Sequence, residues 1–381
     1  MSNPPPLRVL QFLAQYPGRD GTSAYGTGLA RAMNRIWPGS CPILSLRPDE
    51  RPAPEGVELV RHPRTERNPF RLPASLKAEL ASNRQRLDGV VLHGTYHPGN
   101  AAMARELRRQ GIPYVFMPHD PYVPGLTRHH ALRKWLYWHA FEKHVAARAC
   151  AVQLLDETHE DPLRARGIEV PVFAVPNGCD PELLDDPTLR LTEPGKQAEV
   201  RIQYLGRMDR NHKGLDLLIE GFARFVAGGG AAASYELVLT GNDWEDRASL
   251  ERLAAHRGVG ERVRFTGPRP ESSSQIQGEA DLVVLASRFD GFGLTVMEAM
   301  LVARPVLVST RAGVAGHVAK ARGGWLFEPE PEAIAKAMEQ ASRSRDEWPE
   351  MGRRNQDYVL KNLTWEQVAR RTMEGYRRVF A

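Results

Sequence analysis

Short runs of β-type apolar residues alternate with helically spaced stretches along the whole chain, and this alternation constrains the fold more than any other feature. In the first half the runs are Val9–Ala14, Gly89–His93, Tyr114–Met117, Ala151–Leu155 and Val172–Val175. In the second they are Val200–Leu205, Glu236–Thr240, Arg262–Thr266, Leu282–Ala286, Pro305–Ser309 and Trp325–Phe327. A strand followed by a helix re-enters the sheet in the same direction, so such a chain builds parallel sheets covered by helices on both faces. The chain has 381 residues, more than one hydrophobic core normally serves. The expectation is an α/β protein of two doubly wound parallel-sheet domains facing each other across a cleft.

Pro181–Ala198 is rich in Pro, Asp and polar residues and lacks periodicity, which places the junction there. The first domain is expected over residues 1–185, a linker over 186–198, the second domain over 199–355 and a terminal helix over 356–381. In that helix Trp365, Val368, Met373, Tyr376 and Phe380 recur near helical spacing, so it should dock, and packing back on the first domain is one option. Val226–Ala233, VAGGGAAA, reads as a flexible helix-to-strand loop.

Composition excludes several function classes. Hydrophobic residues make up 42% and charged residues 25%, and no apolar run approaches the ~20 residues of a membrane span. The N-terminus shows no export signal. Three cysteines without metal-type spacing indicate neither a disulfide framework nor a zinc site, so a cytoplasmic location is expected. The net charge of +5 is scattered rather than gathered in a stripe, which argues against a nucleic-acid partner.

The chemistry concentrates in Ser287–Met300, SRFDGFGLTVMEAM, where Asp290 and Glu298 bracket a glycine-rich loop that runs into a helix. Gly291 and Gly293 let backbone approach a ligand, and the helix start near Leu294 or Thr295 offers unpaired N–H groups to an anion. Carboxylates beside such donors accept protons from sugar hydroxyls, so the layout suits a polyol joined to phosphate. Arg207 and Lys213 lie in LGRMDRNHKG, after a strand and before a strongly amphipathic helix, at the edge where open α/β sheets bind ligands. Two cations there suit a diphosphate.

GRMDRNHKG and SRFDGFGLTVMEAM together resemble the glycosyltransferase family 4 pattern of GT-B enzymes, and VPNGCD at Val175–Asp180 resembles that family's PNGVD before the hinge. The resemblance covers almost the whole chain and implies the GT-B fold, with two Rossmann-like domains. It implies that Glu298 binds ribose hydroxyls and Asp290 faces the donor sugar. Arg207 and Lys213 would then stabilise the leaving nucleoside diphosphate, and the loop Gly291, Phe292, Gly293, Leu294 and Thr295 would hold phosphate oxygens. The family usually has Glu where this chain has Asp290, shorter by one methylene.

The first-strand loop QYPGRDGTSAYGTGLARAM resembles the family's diglycine loop, but only Gly21 aligns well; Asp20 stands where the first glycine is usual. His119, in YVFMPHDPYVP, ends a strand at the ligand edge, and the resemblance puts an active-site histidine there. His93 and Tyr96, in LHGTYHPGN, are acceptor-side candidates. Arg128–Arg148 mixes bases with Trp135, Tyr137, Trp138 and Phe141. It reads as a core helix with a basic face, while peripheral contact with an anionic membrane stays open. Asp156–Asp161, DETHED, lacks ligand spacing and reads as a capped helix start.

The resemblance further implies a retaining, metal-independent hexosyltransferase without a cofactor, acting on a nucleotide-sugar donor and a glycan, lipid-linked or small-molecule acceptor. No Asp-x-Asp occurs in the chain, which argues against the metal-dependent single-domain glycosyltransferases. Two other readings stay open: another GT-B activity, such as a sugar-nucleotide epimerase or a phosphorylase, and a nucleotide-sugar-binding protein without catalysis.

Overall fold

The structure is a computed structural model that describes residues 6–18, 20–48, 52–64, 67–119, 122, 131–196, 198–229 and 234–380. Part of the PHDPYVP segment, the first three residues of the expected basic helix and the end of VAGGGAAA lie outside the described residues. The chain divides into two compact units, Met1–Gly178 with Thr364–Ala381, and Cys179–Leu363.

In the first unit the described strands are β1 (Val9–Phe12), β2 (Ile43–Ser45), β3 (Leu59–Arg61), β4 (Gly89–His93), β5 (Tyr114–Met117), β6 (Ala151–Leu154) and β7 (Val172–Ala174). They form a seven-stranded sheet in the order β3-β2-β1-β4-β5-β6-β7, and every pairing is parallel. In the second unit β8 (Val200–Leu205), β9 (Tyr235–Thr240), β10 (Val263–Thr266), β11 (Leu282–Leu285), β12 (Val306–Ser309) and β13 (Gly324–Phe327) form a six-stranded parallel sheet in the order β10-β9-β8-β11-β12-β13. Both strand orders double back about the first strand of the unit, so the expected pair of doubly wound α/β domains is what the chain forms. Sequence reasoning missed β2 and β3, between which no described helix lies, so the strand–helix alternation that marked the other strands is interrupted there.

The central strands are buried along their length, as a sheet covered on both faces requires. Helix α1 (Gly21–Ile36) follows β1, α2 (Ala131–Tyr137) runs into a π-helical turn at Trp138–Glu142, α3 (Leu215–Ala227) follows β8, and α4 (Leu294–Leu301) follows β11. In α3, Leu215, Leu218, Ile219, Phe222 and Phe225 are all buried, the face that its spacing indicated.

Two boundaries differ from the sequence reading. Residues 186–198 are not a free linker: Gly195 N donates to Asp281 Oδ1 at 2.9 Å, and the buried Arg304 donates to Thr192 O at 2.6 Å. Lone polar tethers leave no hydrophobic period, so composition alone reads this stretch as a linker. The terminal segment, in turn, is two helices, Trp348–Asn362 in the second unit and α5 (Trp365–Phe380), which packs on α1 in the first. Gly28 admits that packing, since a Cβ there would lie 2.0 Å from the Trp365 ring.

Candidate functional site

Strands β8 and β11 are neighbours, so the loops leaving their C-terminal ends, Gly206–Gly214 and Ala286–Gly293, run side by side. Several contacts lock them together. Arg288 N donates to His212 O at 3.0 Å, the Arg288 guanidinium grips Asp216 through two 2.8 Å bonds, and the His212 and Phe289 rings stack at 4.6 Å. Gly214 sits at φ +64, and a Cβ there would lie 2.2 Å from Ala286 O, so a side chain would force the loops apart.

That clamp brings Lys213 Nζ to 2.6 Å from Asp290 Oδ2, although 77 positions separate them. Ser287 Oγ also donates to Asp290 Oδ2 at 3.3 Å, and Phe292 N to Oδ1 at 3.4 Å. Asp290 thus does cap its own loop, but weakly, and its short contact is the ion pair. Burial pushes its carboxyl upward, and the Lys213 ammonium, helped by His212 and the Phe292 amide, outweighs this and leaves it below the usual carboxylate range.

Just beyond, Gly293 takes φ +100 as the residue before α4, and no side chain caps that helix. The amides of its first turn, Leu294 and Thr295 among them, therefore lack a side-chain acceptor, the condition under which a helix start attracts an anion. Glu298, one turn farther into α4 and half-buried, accepts a hydrogen bond from Ser273 Oγ. Burial raises its pKa, and the Ser273 hydroxyl holds part of that rise back.

Arg207 does not join the Lys213–Asp290 pair. Its exposed guanidinium lies 4.8 Å over the Trp244 ring and donates to His212 Nδ1 at 3.4 Å. Sequence reasoning missed His212, whose pKa burial and the Lys213 charge push down to about 4, so it is neutral at pH 7. It also missed Ser273; the run of serines before β11 offered a capping signal at Ser272 but nothing that pointed to Glu298.

In the first unit the structure joins two of the candidate histidines. His93 Nδ1 lies 2.8 Å from His119 Nε2, and His93 Nε2 lies 2.9 Å from Gln11 Oε1. Gln11 Nε2 donates to Val9 O at 3.3 Å, which orients the amide with its oxygen toward His93. His93 Nε2 then carries the proton, Nδ1 accepts, and neutral His119 donates through Nε2 and keeps a lone pair on Nδ1. His93 is 4% exposed with both nitrogens engaged, so its side chain braces His119 and is not free to touch an acceptor, which corrects the expectation for it. Burial drives His119 down to about 4, against a smaller upward pull from Asp20. Gln11 was legible as a polar residue inside a buried strand, VLQF.

Gly21 opens α1, whose N-cap is Asp20: Oδ1 accepts from Ser23 N at 2.9 Å and Oδ2 from Ser23 Oγ at 3.2 Å. A carboxylate thus fills the helix start where the family pattern has glycine. Tyr96, at φ +59, donates its amide to the buried carboxylate of Glu142 and stacks edge-on at 5.9 Å to Tyr137. Asp156 caps its short helix by accepting from Thr158 N at 2.9 Å, as DETHED suggested.

Comparison with known proteins places this geometry. The profile for Glycosyltransferase Family 4 matches residues 28–183, and that for Glycosyl transferases group 1 matches residues 199–344. The chain belongs to glycosyltransferase family 4. It is 29% identical over 217 residues to a D-inositol 3-phosphate glycosyltransferase of Corynebacterium urealyticum, covering 54% of this chain and 51% of that one. With a mannosylfructose-phosphate synthase of Agrobacterium fabrum it shares 27% identity over 176 residues, 44% of this chain and 38% of the other. The chain thus spans about half the length, or less, of these curated relatives.

Solved structures establish the fold of this family 4 member as GT-B. Sucrose-phosphate synthase from Thermosynechococcus elongatus superposes with a TM-score of 0.73 at 19% identity, covering 98% of this chain and 99% of that one. Anabaena HepE, solved with UDP and glucose, gives 0.72 at 17% identity, covering 97% and 100%. Among the described residues, no helix of this family 4 chain is long and apolar enough to cross a membrane.

Proposed function

We propose that the protein transfers a sugar, with retention and without a metal, from a nucleoside-diphosphate sugar to an acceptor hydroxyl. The observation that carries this reading is the Lys213–Asp290 pair just ahead of the uncapped start of α4, with Glu298 on the same helix. The α4 amides would bind the diphosphate, Glu298 the ribose, and Asp290 the donor sugar. Charge grows on the diphosphate as the glycosidic bond breaks, so Lys213 and Arg207 stabilise the transition state more than the bound donor, the part a metal plays elsewhere. HepE was solved with UDP and glucose, which supports a nucleotide-sugar as donor class. In the first unit, His119, braced by His93 and Gln11, would bind on the acceptor side.

A thermal-shift panel of nucleoside diphosphates and their sugars tests donor binding, because a ligand at a hundred times its Kd adds about 2.7 kcal/mol to stability. Turnover then tests the chemistry: losing one preorganised charge partner costs about 2.7–4 kcal/mol, so Lys213→Met should lower kcat by two to three orders of magnitude with donor affinity little changed. Near-normal kcat in that variant would remove Lys213 from the reaction. Binding of a nucleotide-sugar without hydrolysis or transfer to any acceptor would instead favour the non-catalytic reading.

A further inference from the structure

Trp244 stands in the loop leaving β9, the strand beside β8 in the second sheet, and so at the same sheet edge as the loop Gly206–Gly214. It is 56% exposed, more than any other large apolar side chain described in the second unit. An indole left in water forgoes the gain of burial and needs a reason to be there. Among the described residues its one ring contact is with the Arg207 guanidinium, 4.8 Å over its face.

Both partners are held from behind. Met208 N donates to Asn242 O at 2.8 Å, Met208 and Asp243 form a parallel bridge, and Arg210 N donates to Asp246 Oδ2 at 2.8 Å, so the two loops are tied on either side of the contact. Asp243 Oδ1 accepts from Asp246 N at 3.1 Å and from Arg247 N at 3.0 Å, which joins the turn to the helix Arg247–His256. Glu245, next to the ring, takes φ +69, a left-handed conformation that a non-glycine residue adopts at a cost. On the other loop the hydroxyl of buried Tyr204 donates to Arg207 O at 2.7 Å and fixes the backbone that carries the guanidinium.

Arg207 is thereby held between an indole face and Nδ1 of His212, and among the described residues no carboxylate forms an ion pair with it. A carboxylate would hold a guanidinium by neutralising it. A ring face holds it and leaves its charge for an incoming anion. A free surface arginine gives up rotamer freedom when a ligand arrives, and one already held has less to give up.

We propose that Trp244 is a positioning residue for the donor, its ring holding the Arg207 guanidinium ready for the diphosphate of a nucleoside-diphosphate sugar. This role rests on the transferase reading. It gives Arg207, which stands apart from the Lys213–Asp290 pair, a way to serve the same ligand.

The full chain and its variants are titrated calorimetrically with UDP, GDP and ADP, and circular dichroism checks that each variant is folded. With whichever of the three binds, Arg207→Ala should weaken binding at least tenfold and Trp244→Ala at least threefold. Trp244→Phe keeps a ring face and should stay within twofold of the unaltered chain. Trp244→Leu is apolar without a ring face and should behave like Trp244→Ala, an outcome that a merely space-filling role would not give. Because the ring acts through the guanidinium, the double variant Arg207→Ala with Trp244→Ala should bind no more weakly than Arg207→Ala alone. If a nucleoside diphosphate binds and Trp244→Ala stays within twofold, or Trp244→Leu matches Trp244→Phe, the role of Trp244 is overturned while the donor reading stands. The same holds if Trp244→Ala weakens binding as much without Arg207 as with it. If none of the three binds the unaltered chain, the donor reading falls and the role of Trp244 falls with it.

Discussion

Replacing Lys213 by Met tests the centre of the second unit without reference to any ligand. Met keeps the length of the side chain and removes its charge, leaving the Asp290 carboxylate, 13% exposed, without its 2.6 Å partner. The remaining donors, Ser287 at 3.3 Å and Phe292 at 3.4 Å, are too long to compensate. Removing one partner of a buried pair costs about 3–5 kcal/mol, and the residual exposure of both groups argues for the lower end, about 3 kcal/mol. For a unit of 150–250 residues that corresponds to a fall in Tm of roughly 6–12 °C.

The expected pH dependence has a definite sign. In the unaltered protein the Asp290 pKa lies below its unfolded value, so its contribution is present above that value and lost as pH falls through the folded pKa. Without Lys213, burial is the dominant influence left and the folded pKa rises above the unfolded one. Asp290 then stabilises when protonated, and its contribution is lost as pH rises. Thermal melts followed by circular dichroism at pH 5 and pH 8 should show the deficit of Lys213→Met to be smaller at pH 5. The double variant Lys213→Met with Asp290→Asn should recover much of the loss at pH 8. A single variant within 1 kcal/mol of the unaltered protein, or a double variant no better than the single, would refute the buried-pair account.

Three further outcomes follow from the same structure. Asp290→Glu adds a methylene where the carboxylate already touches Lys213, so it should cost about 1–3 kcal/mol in melts and shift the ranking of donor sugars in a competition assay. Gly28→Ala drives a Cβ to 2.0 Å from the Trp365 ring and should loosen α5, read as faster hydrogen exchange over Trp365–Phe380. The first unit should lose stability as pH falls from 6.5 through about 4, because His119 must take up a proton in a buried site; the loss is on the order of 3 kcal/mol and should shrink in His119→Asn melts.

What the sequence made legible was whatever follows from short-range pattern. The βα alternation dictated two parallel sheets, the rule that such sheets bind ligands at strand C-terminal ends picked out Arg207, Lys213 and His119 as candidates, and the glycine-rich loop running into a helix picked out Asp290 and Glu298. What it hid was partnership. His93 was readable as a polar residue at a strand end but not as the brace of His119, since that depends on β4 and β5 being neighbours and on Gln11 standing 82 positions away in β1. Arg207 and Lys213 look equivalent in LGRMDRNHKG, yet the turn at Gly214 points Lys213 to Asp290, while Arg207 lies over Trp244 from another loop.

The same distinction bears on Asp290, which is one methylene shorter than the Glu usual in the family pattern and so has less reach toward a ligand. The structure supplies the compensating fact: the clamp of Arg288 on Asp216 and of His212 on Phe289 carries Lys213 to the carboxylate, so the short side chain is held charged and fixed. An acid held in that way has little freedom to lose when a ligand arrives. If Asp290 faces the donor sugar as proposed, its shortness would bear on which hydroxyl it meets rather than on whether it is ionised, which is why donor choice is the property that Asp290→Glu is expected to move.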